Sequence, residues 1–310
     1  VSSLLIVQFC QGIFMGRNEI RWLNLVDVLP RLLLIPSVLL IEIFVSLHGT
    51  VSLWIFAGCL TITAFIGLWL ARPTAHFPNL NSLNVILIVQ RGIPYATALF
   101  ISTLTIQIAI ILVGLRLDPE DASYFFIASR LNGLPVEAAT AMALVLFSHT
   151  TRQSIASEAL QQSAKVASWA FVIVIVFAIV AYFVAPWIVP FIFGEENKPV
   201  VELFRVTVFG LPAAVLATSI YPVIGGIGRP LLAAAVTLPA LLILVILCWL
   251  LMEIDGARGA AIGVVIGHTV WAAGLLLVTR KLGASAAAFL IPSVAPLLSL
   301  RQRLRRRTAI

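Results

Sequence analysis

The sequence predicts an all-α fold: a polytopic membrane helix bundle of about nine transmembrane helices, one complete six-helix lobe preceded by half of another. Three observations predict it. The first is composition, since 61% of the 310 residues are hydrophobic and 11% are charged. That charged share is under half of the quarter usual for a soluble domain, too little to cover a water-facing surface. Disorder is excluded as well, because it needs low hydrophobicity and high charge. The second is length. A crossing takes about 20 apolar residues, so nine take about 180, close to the apolar content. The third is that charge alternates in kind between successive gaps in the apolar sequence.

The first apolar segment, Ser2 to Gly16, ends on a Gly-Arg pair. The second, Val28 to Leu47, holds Pro30 and Pro36, which spanning helices tolerate. Gly49 offers a tight turn into the third, Val51 to Leu70. The fourth, Gly92 to Leu115, follows Arg91 and stops at Arg116. The fifth, Ala122 to Ser148, starts beyond an acidic run. The sixth is Val166 to Phe193, and the seventh, Leu203 to Gly226, ends in a glycine-rich stretch. The eighth, Leu231 to Met252, begins beyond Arg229, and Gly256 marks a tight turn into the ninth, Ala260 to Thr279. All should be helices, because a segment in hydrocarbon must satisfy its own backbone hydrogen bonds.

Alternate gaps are basic. One set holds Arg17, Arg21, Arg72, Arg91, Arg152, Lys165 and Arg229, and the tail adds Arg280, Lys281, Arg301, Arg303, Arg305, Arg306 and Arg307. The other holds Arg116, Lys198, Arg205 and Arg258 beside Asp118, Glu120, Asp121, Glu195, Glu196, Glu202, Glu253 and Asp255. Basic loops stay in the cytoplasm, so the C-terminus is expected there. An odd number of spans then places Val1 outside, with no signal peptide ahead of it. Either an odd number of upstream spans or a non-standard start is expected. A further apolar stretch, Ala284 to Leu300, is interrupted by Pro292 and Pro296, and crossing would carry the tail arginines outside. It is expected to lie at the interface with its arginines on anionic headgroups, or in a solvated basic tail. The net charge of +7 therefore reports topology and not nucleic acid.

The first three segments resemble the last three. Each block has glycines before a Gly-Arg pair (Gly16-Arg17, Gly228-Arg229), a proline-interrupted helix, and a glycine turn at Gly49 or Gly256. Parallel repeats of this kind are common in transporters, with the path between the halves. The domain reading follows. Residues 1–71 are the last three helices of a first lobe, 72–91 a cytoplasmic connector, 92–281 a six-helix lobe and 282–310 the basic tail. Three helices of the first lobe are then expected upstream, an odd number as the topology requires.

Several stretches, taken in order, resemble a known family. They are Arg91-Gly-Ile-Pro94, Tyr124-Phe-Phe-Ile-Ala-Ser-Arg-Leu131, Pro190-Phe-Ile-Phe-Gly-Glu195, Phe204-Arg205, Gly228-Arg229 and Gly256-Ala-Arg-Gly-Ala-Ala-Ile-Gly263. The chain resembles the polysaccharide-export branch of the multidrug/oligosaccharidyl-lipid/polysaccharide exporter superfamily, the O-antigen or oligosaccharide flippases. The resemblance implies twelve or fourteen spans in a whole member and a cavity between two lobes. It also implies the bacterial inner membrane as location. The cargo it implies is a polyprenyl-diphosphate-linked oligosaccharide, flipped by alternating access, with membrane lipids and polysaccharide assembly proteins as neighbours.

Charges inside spans need a reason, since each costs about 2.5–3.5 kcal/mol on insertion scales. Arg130, Asn132, Glu137 and Thr140 share the fifth segment. Arg130 and Glu137 lie two turns apart on nearly one face, roughly 10 Å along the axis and too far for a direct ion pair. In a functional reading Arg130 offers forked donors to a cargo phosphate or sugar, and Glu137 binds sugar hydroxyls or a coupling proton. In a structural reading both pair with other helices. Arg91 stands where a headgroup phosphate would enter, or simply obeys the positive-inside rule. Arg31 faces the cargo path or snorkels to headgroups. Gln107 and Thr103 line the cavity or bond between helices. Glu42 is expected near the outer end of its span. His268 is expected to be packed and hydrogen-bonded, with proton coupling as the alternative. Gly259, Gly263 and Gly267 form a small-residue stripe for close helix packing, within the lobe in preference to a dimer; a monomer is expected.

Other chemistries lack their residues. Cys10, Cys59 and Cys248 lie in apolar stretches as small packing residues. No His-Glu-x-x-His spacing and no phosphate-binding Gly-x-x-x-x-Gly-Lys loop occurs, so no metal, cofactor or catalytic residue is expected. Two other functions stay open. A cation-coupled drug or metabolite exporter of the same superfamily would need a carboxylate cluster, and a membrane enzyme of glycan assembly would need a large outer loop.

Overall fold

A computed structural model of the chain describes residues 2–17, 19–44, 49–71, 82–151, 153 and 155–292. Among them there are ten α-helices, two short 3-10 turns and no strand. The helices are α1 (Ser2–Arg17), α2 (Ile20–Phe44), α3 (Gly49–Ala71), α4 (Ser82–Arg116), α5 (Pro119–Thr150), α6 (Ala156–Phe193), α7 (Lys198–Thr207), α8 (Leu211–Gly226), α9 (Pro230–Lys281) and α10 (Ala287–Leu290). The protein is an all-α, multi-pass membrane bundle.

Seven helical stretches are long and apolar enough to cross a bilayer. One is α9, and it is two crossings. Its backbone leaves helical geometry at Asp255 and Gly256, the latter at φ 51°. The two arms then run back along each other, with Gly259 against Leu251, Gly263 against Cys248 and Gly274 against Val236. The remaining segment, α1, has 16 residues and falls short of the about 20 of a full crossing. Among the described residues there are thus eight full-length crossings and one short apolar helix, where the sequence predicts nine spans.

Several helices outrun their apolar segments, because a helix leaving hydrocarbon continues through the headgroups with polar residues. α2 starts at Ile20 and not Val28, α4 at Ser82 and not Gly92, and α6 at Ala156 and not Val166. Residues 82–91, expected as connector, are therefore the first turns of α4, while 72–81 lie outside the described residues. So do Arg152, the arginines at 301, 303, 305, 306 and 307, and the side chain of Glu42. The seventh segment is not one helix. A 3-10 turn, Val208–Gly210, separates α7 from α8. There Gly210 comes so close to the second arm of α9 that a Cβ would lie 3.0 Å from Val265 Cα.

The contacts divide the chain into residues 1–85 and 86–310. In the first unit α1, α2 and α3 each pack on the other two. They meet where Gly67 of α3 lets in Cys10 of α1 and Val26 of α2; a Cβ there would stand 3.1 Å from Cys10 Sγ. All three cysteines of the chain are free and buried.

In the second unit α8 is the hub, with α5, α6 and α9 around it. Its small residues make this possible: Ala214, Ala217, Ser219 and Gly225 are buried, and a Cβ on Gly226 would strike Thr150 Oγ1 of α5 at 2.0 Å. α7 is amphipathic and buries Val200, Val201, Leu203, Phe204 and Thr207. After α9 the chain turns at Gly283 (φ 85°), and α10 returns onto α6 with Phe289 fully buried. Continuing the antiparallel register of α9 sets Arg280 and Lys281 level with Arg229, so these cations share one end of the unit. The opposite end holds the turn at Asp255 and the pair Arg116–Glu253. There Arg116 also donates to Trp249 O (2.7 Å) and stacks on its ring at 4.1 Å.

At that same end Asp118 caps α5. Its Oδ1 accepts from the backbone N–H groups of Glu120 and Asp121, both at 3.0 Å, and Pro119 occupies the first turn, where no N–H is needed. Asp118→Ala is expected to cost about 1 kcal/mol, the usual weight of an N-cap. A thermal unfolding midpoint in detergent identical to wild type would contradict it.

Candidate functional site: a polar cavity in the second unit

Five helices of the second unit enclose a cavity of about 130 Å³. α5 supplies one wall through a helical stripe, Phe125, Ser129, Gly133 and Glu137, with Arg130, Asn132 and Val136 beside it. α4 contributes Gln107 among apolar residues, α7 Thr207, α8 Leu211 and Ala214, and the second arm of α9 Val264 and His268. Four-residue spacing puts the α5 groups on one face, and Gly133 leaves that face open.

The hydrogen bonds orient the key groups. Thr207 Oγ1 donates to the Leu203 carbonyl at 2.9 Å, so its lone pairs are free to accept from Asn132 Nδ2. Asn132 Nδ2 also donates to the Ala128 carbonyl at 3.3 Å. Both partners are acceptors, which fixes the amide and leaves Asn132 Oδ1 buried without a donor among the described residues. His268 Nε2 is likewise buried without a hydrogen-bond partner among the described residues. Its ring lies 6.3 Å from that of Trp271, whose Nε1 donates to Thr237 Oγ1 at 2.8 Å across the α9 hairpin. A buried polar atom without a partner costs about 1–3 kcal/mol, so two around one cavity favour a polar guest, one with a donor for Asn132 Oδ1. Arg130 is exposed, with its guanidinium over the Phe126 ring at 4.9 Å.

The structure thus brings Arg130, Asn132, Glu137, Gln107 and His268 to one cavity. Thr103 and Thr140 are not among its lining. Arg91 is exposed on α4, also outside the lining. Arg31 belongs to the first unit, in a pocket of about 230 Å³ with Gln8, Gln11 and Asp27. There Gln11 Nε2 donates to Asp27 Oδ1 at 3.1 Å. Gly259, Gly263 and Gly267 lie in the seam of the α9 hairpin.

Three residues escape the sequence reading. Ser129 sits on the stripe of Gly133 and Glu137, a spacing that could have found it. Thr207 has no local signal, being 75 positions from its partner Asn132. Asp27 falls just before the apolar stretch, yet α2 carries it within a spanning segment, Arg21–Ile41. Among the described residues no three His, Cys, Asp or Glu converge as a metal site would require. The arrangement can bind a polar guest through a cation, an amide and hydroxyls.

The fold and this cavity define a multi-pass α-helical membrane protein with a polar site inside its second unit. No family model matches the sequence, and no curated protein matches it. The fold does match solved structures. The lipid II flippase MurJ, in an inward closed conformation, superposes with a TM-score of 0.69 at 17% identity over 93% of this chain. The MATE transporter VcmN of Vibrio cholerae superposes with TM-scores of 0.66, as a point variant, and 0.63, in its bent form. The identities there are 15% and 16%, over 89% of this chain. The chain spans 62% of the MurJ chain and 65% of VcmN. At these identities the likeness establishes the fold.

Proposed function

We propose that the protein belongs to the multidrug/oligosaccharidyl-lipid/polysaccharide exporter superfamily and flips a polyprenyl-diphosphate-linked oligosaccharide across a bacterial inner membrane. The observation that carries this reading is the donor and acceptor set around the second-unit cavity, in a chain with the fold of a lipid flippase. Arg130 offers the planar fork that suits phosphate oxygens. Asn132 Oδ1 accepts from a hydroxyl donor, His268 Nε2 is open to a hydroxyl in either role, and Gln107, Ser129 and Glu137 complete a polar surface for a sugar substituent. A volume of about 130 Å³ suits one phosphate or one sugar substituent. It is therefore read as the anchor point, with the lipid chain left in the bilayer. In this reading the basic loops and C-terminus are cytoplasmic, and alternating access exposes the cargo to each side in turn.

Asp27 favours a second reading. A carboxylate within a spanning helix, held by Gln11, is the kind of group that takes up a coupling cation or proton, although it stands here without the carboxylate cluster such an exporter would need. One experiment separates the two. Purified protein is placed in vesicles whose outer leaflet carries a fluorescent lipid-linked oligosaccharide. The flippase reading expects the label to become protected from a membrane-impermeant quencher. If the label stays outside while an organic cation dye is moved along a proton or sodium gradient, the exporter reading replaces it.

A further inference from the structure

We infer that the groove between α4 and the α8–α9 turn is a binding site for an anionic glycerophospholipid, with its phosphate on Arg229. The turn is shaped by Gly228, whose φ of 80° suits glycine alone without strain. It delivers Arg229 to the end of the unit that Arg280 and Lys281 share. Beside it Pro94 and Tyr95 of α4 complete a groove of about 490 Å³, with Leu231 and Leu232 along its wall. Arg229 and Tyr95 are exposed, and Leu231 exposes 57% of its surface. Among the described residues no acidic side chain lines the groove.

Two chemistries meet there, and only one class of ligand uses both. A guanidinium takes a phosphate through charge-assisted, forked hydrogen bonds, and the Tyr95 phenol adds a further donor. The leucine and proline surface offers nothing to a free phosphate ion but fits an acyl chain entering from the bilayer. A zwitterionic headgroup brings an ammonium that this cationic end repels; an anionic headgroup does not. The groove shares no residue with the Arg130 cavity, so the inference stands independently of the transport reading.

Two measurements on the full chain test it. In native mass spectrometry with phosphatidylglycerol and phosphatidylethanolamine, the wild type should retain phosphatidylglycerol preferentially. Arg229→Gln should lower that retention roughly fivefold, the weight of one charge at an anionic surface. Arg258→Gln, at the opposite end, should leave it unchanged. Phosphatidylglycerol with a photoreactive acyl chain should label unaltered protein at Leu231 or Leu232. Equal retention by wild type and Arg229→Gln overturns the site. So does labelling confined to other helices, or displacement of the lipid by inorganic phosphate. Because the labelling uses the wild type, it decides the matter even if the variant fails to fold.

Discussion

Gly263→Val is expected to leave little correctly folded protein. A Cβ at Gly263 would lie 2.7 Å from Cys248 N and 2.9 Å from Cys248 Cα, which are backbone atoms of the facing arm and cannot swing aside. The same seam is tighter still at Gly259, where a Cβ would fall 1.9 Å from the Leu251 carbonyl oxygen. The arms must therefore separate along their length. Separation would also break the Trp271–Thr237 hydrogen bond and uncover Trp271, Leu244 and Leu275, all fully buried. Overpacking a rigid site costs about 1–3 kcal/mol even when the structure can relax. Here the β-branched side chain meets main chain, so the cost falls at or above the top of that range. Two controls sharpen the test. Gly274→Ala meets one methyl group, Val236 Cγ1, and no main chain, so it should cost less than Gly263→Val, though the β-branched valine yields only with strain. Gly114→Ala points into open space on α4 and should stabilise that helix by up to about 1 kcal/mol. Fluorescence-detected size exclusion with heating reads all three. A monodisperse Gly263→Val with a wild-type midpoint would show that the seam is looser than described.

Under the flippase proposal, Arg130→Ala is expected to reduce flipping of the lipid-linked oligosaccharide by about tenfold to a hundredfold, the weight of a charge-assisted contact to phosphate. The side chain is exposed and rests on Phe126, so its removal should barely alter the unfolding midpoint. That separation of activity from stability is the test. Arg130→Lys keeps the charge but loses the planar fork, and should fall between wild type and Arg130→Ala. Flipping at the wild-type rate by Arg130→Ala, with equal protein in the membrane, would remove Arg130 from the cargo path. A parallel loss of rate and stability would assign it a packing role instead.

The chain's environment and secondary structure were legible in the sequence, because hydrocarbon permits little else. With 61% hydrophobic residues, the segments had to be helices, and the prolines and glycines marked their ends and turns. Gly256 announced the reversal in α9, but α5 begins three residues before the expected Ala122, with Glu120 and Asp121 of the acidic run in its first turn. The seven-residue step from Arg130 to Glu137 put both on one face of α5 without any knowledge of the fold. Helix starts were less legible, since polar residues such as Gln90 and Lys165 lie in helices that continue beyond the lipid.

Which faces meet was settled by tertiary structure alone. His268 and Gln107 join Asn132 and Glu137 only because α4 and the second arm of α9 stand against α5, and Thr207 meets Asn132 from another helix entirely. Nothing in their local sequence says so. The glycine stripe at 259, 263 and 267 was expected to pack within the lobe in preference to a dimer, but that Leu251, Cys248 and Leu244 are what fill it only the fold shows. The reason is the solvent. Lipid tails are as apolar as leucine, so hydrophobicity decides that a helix enters the bilayer but gives little preference for one apolar neighbour over another. That choice is left to shape, to small residues and to a few hydrogen bonds between helices distant in sequence.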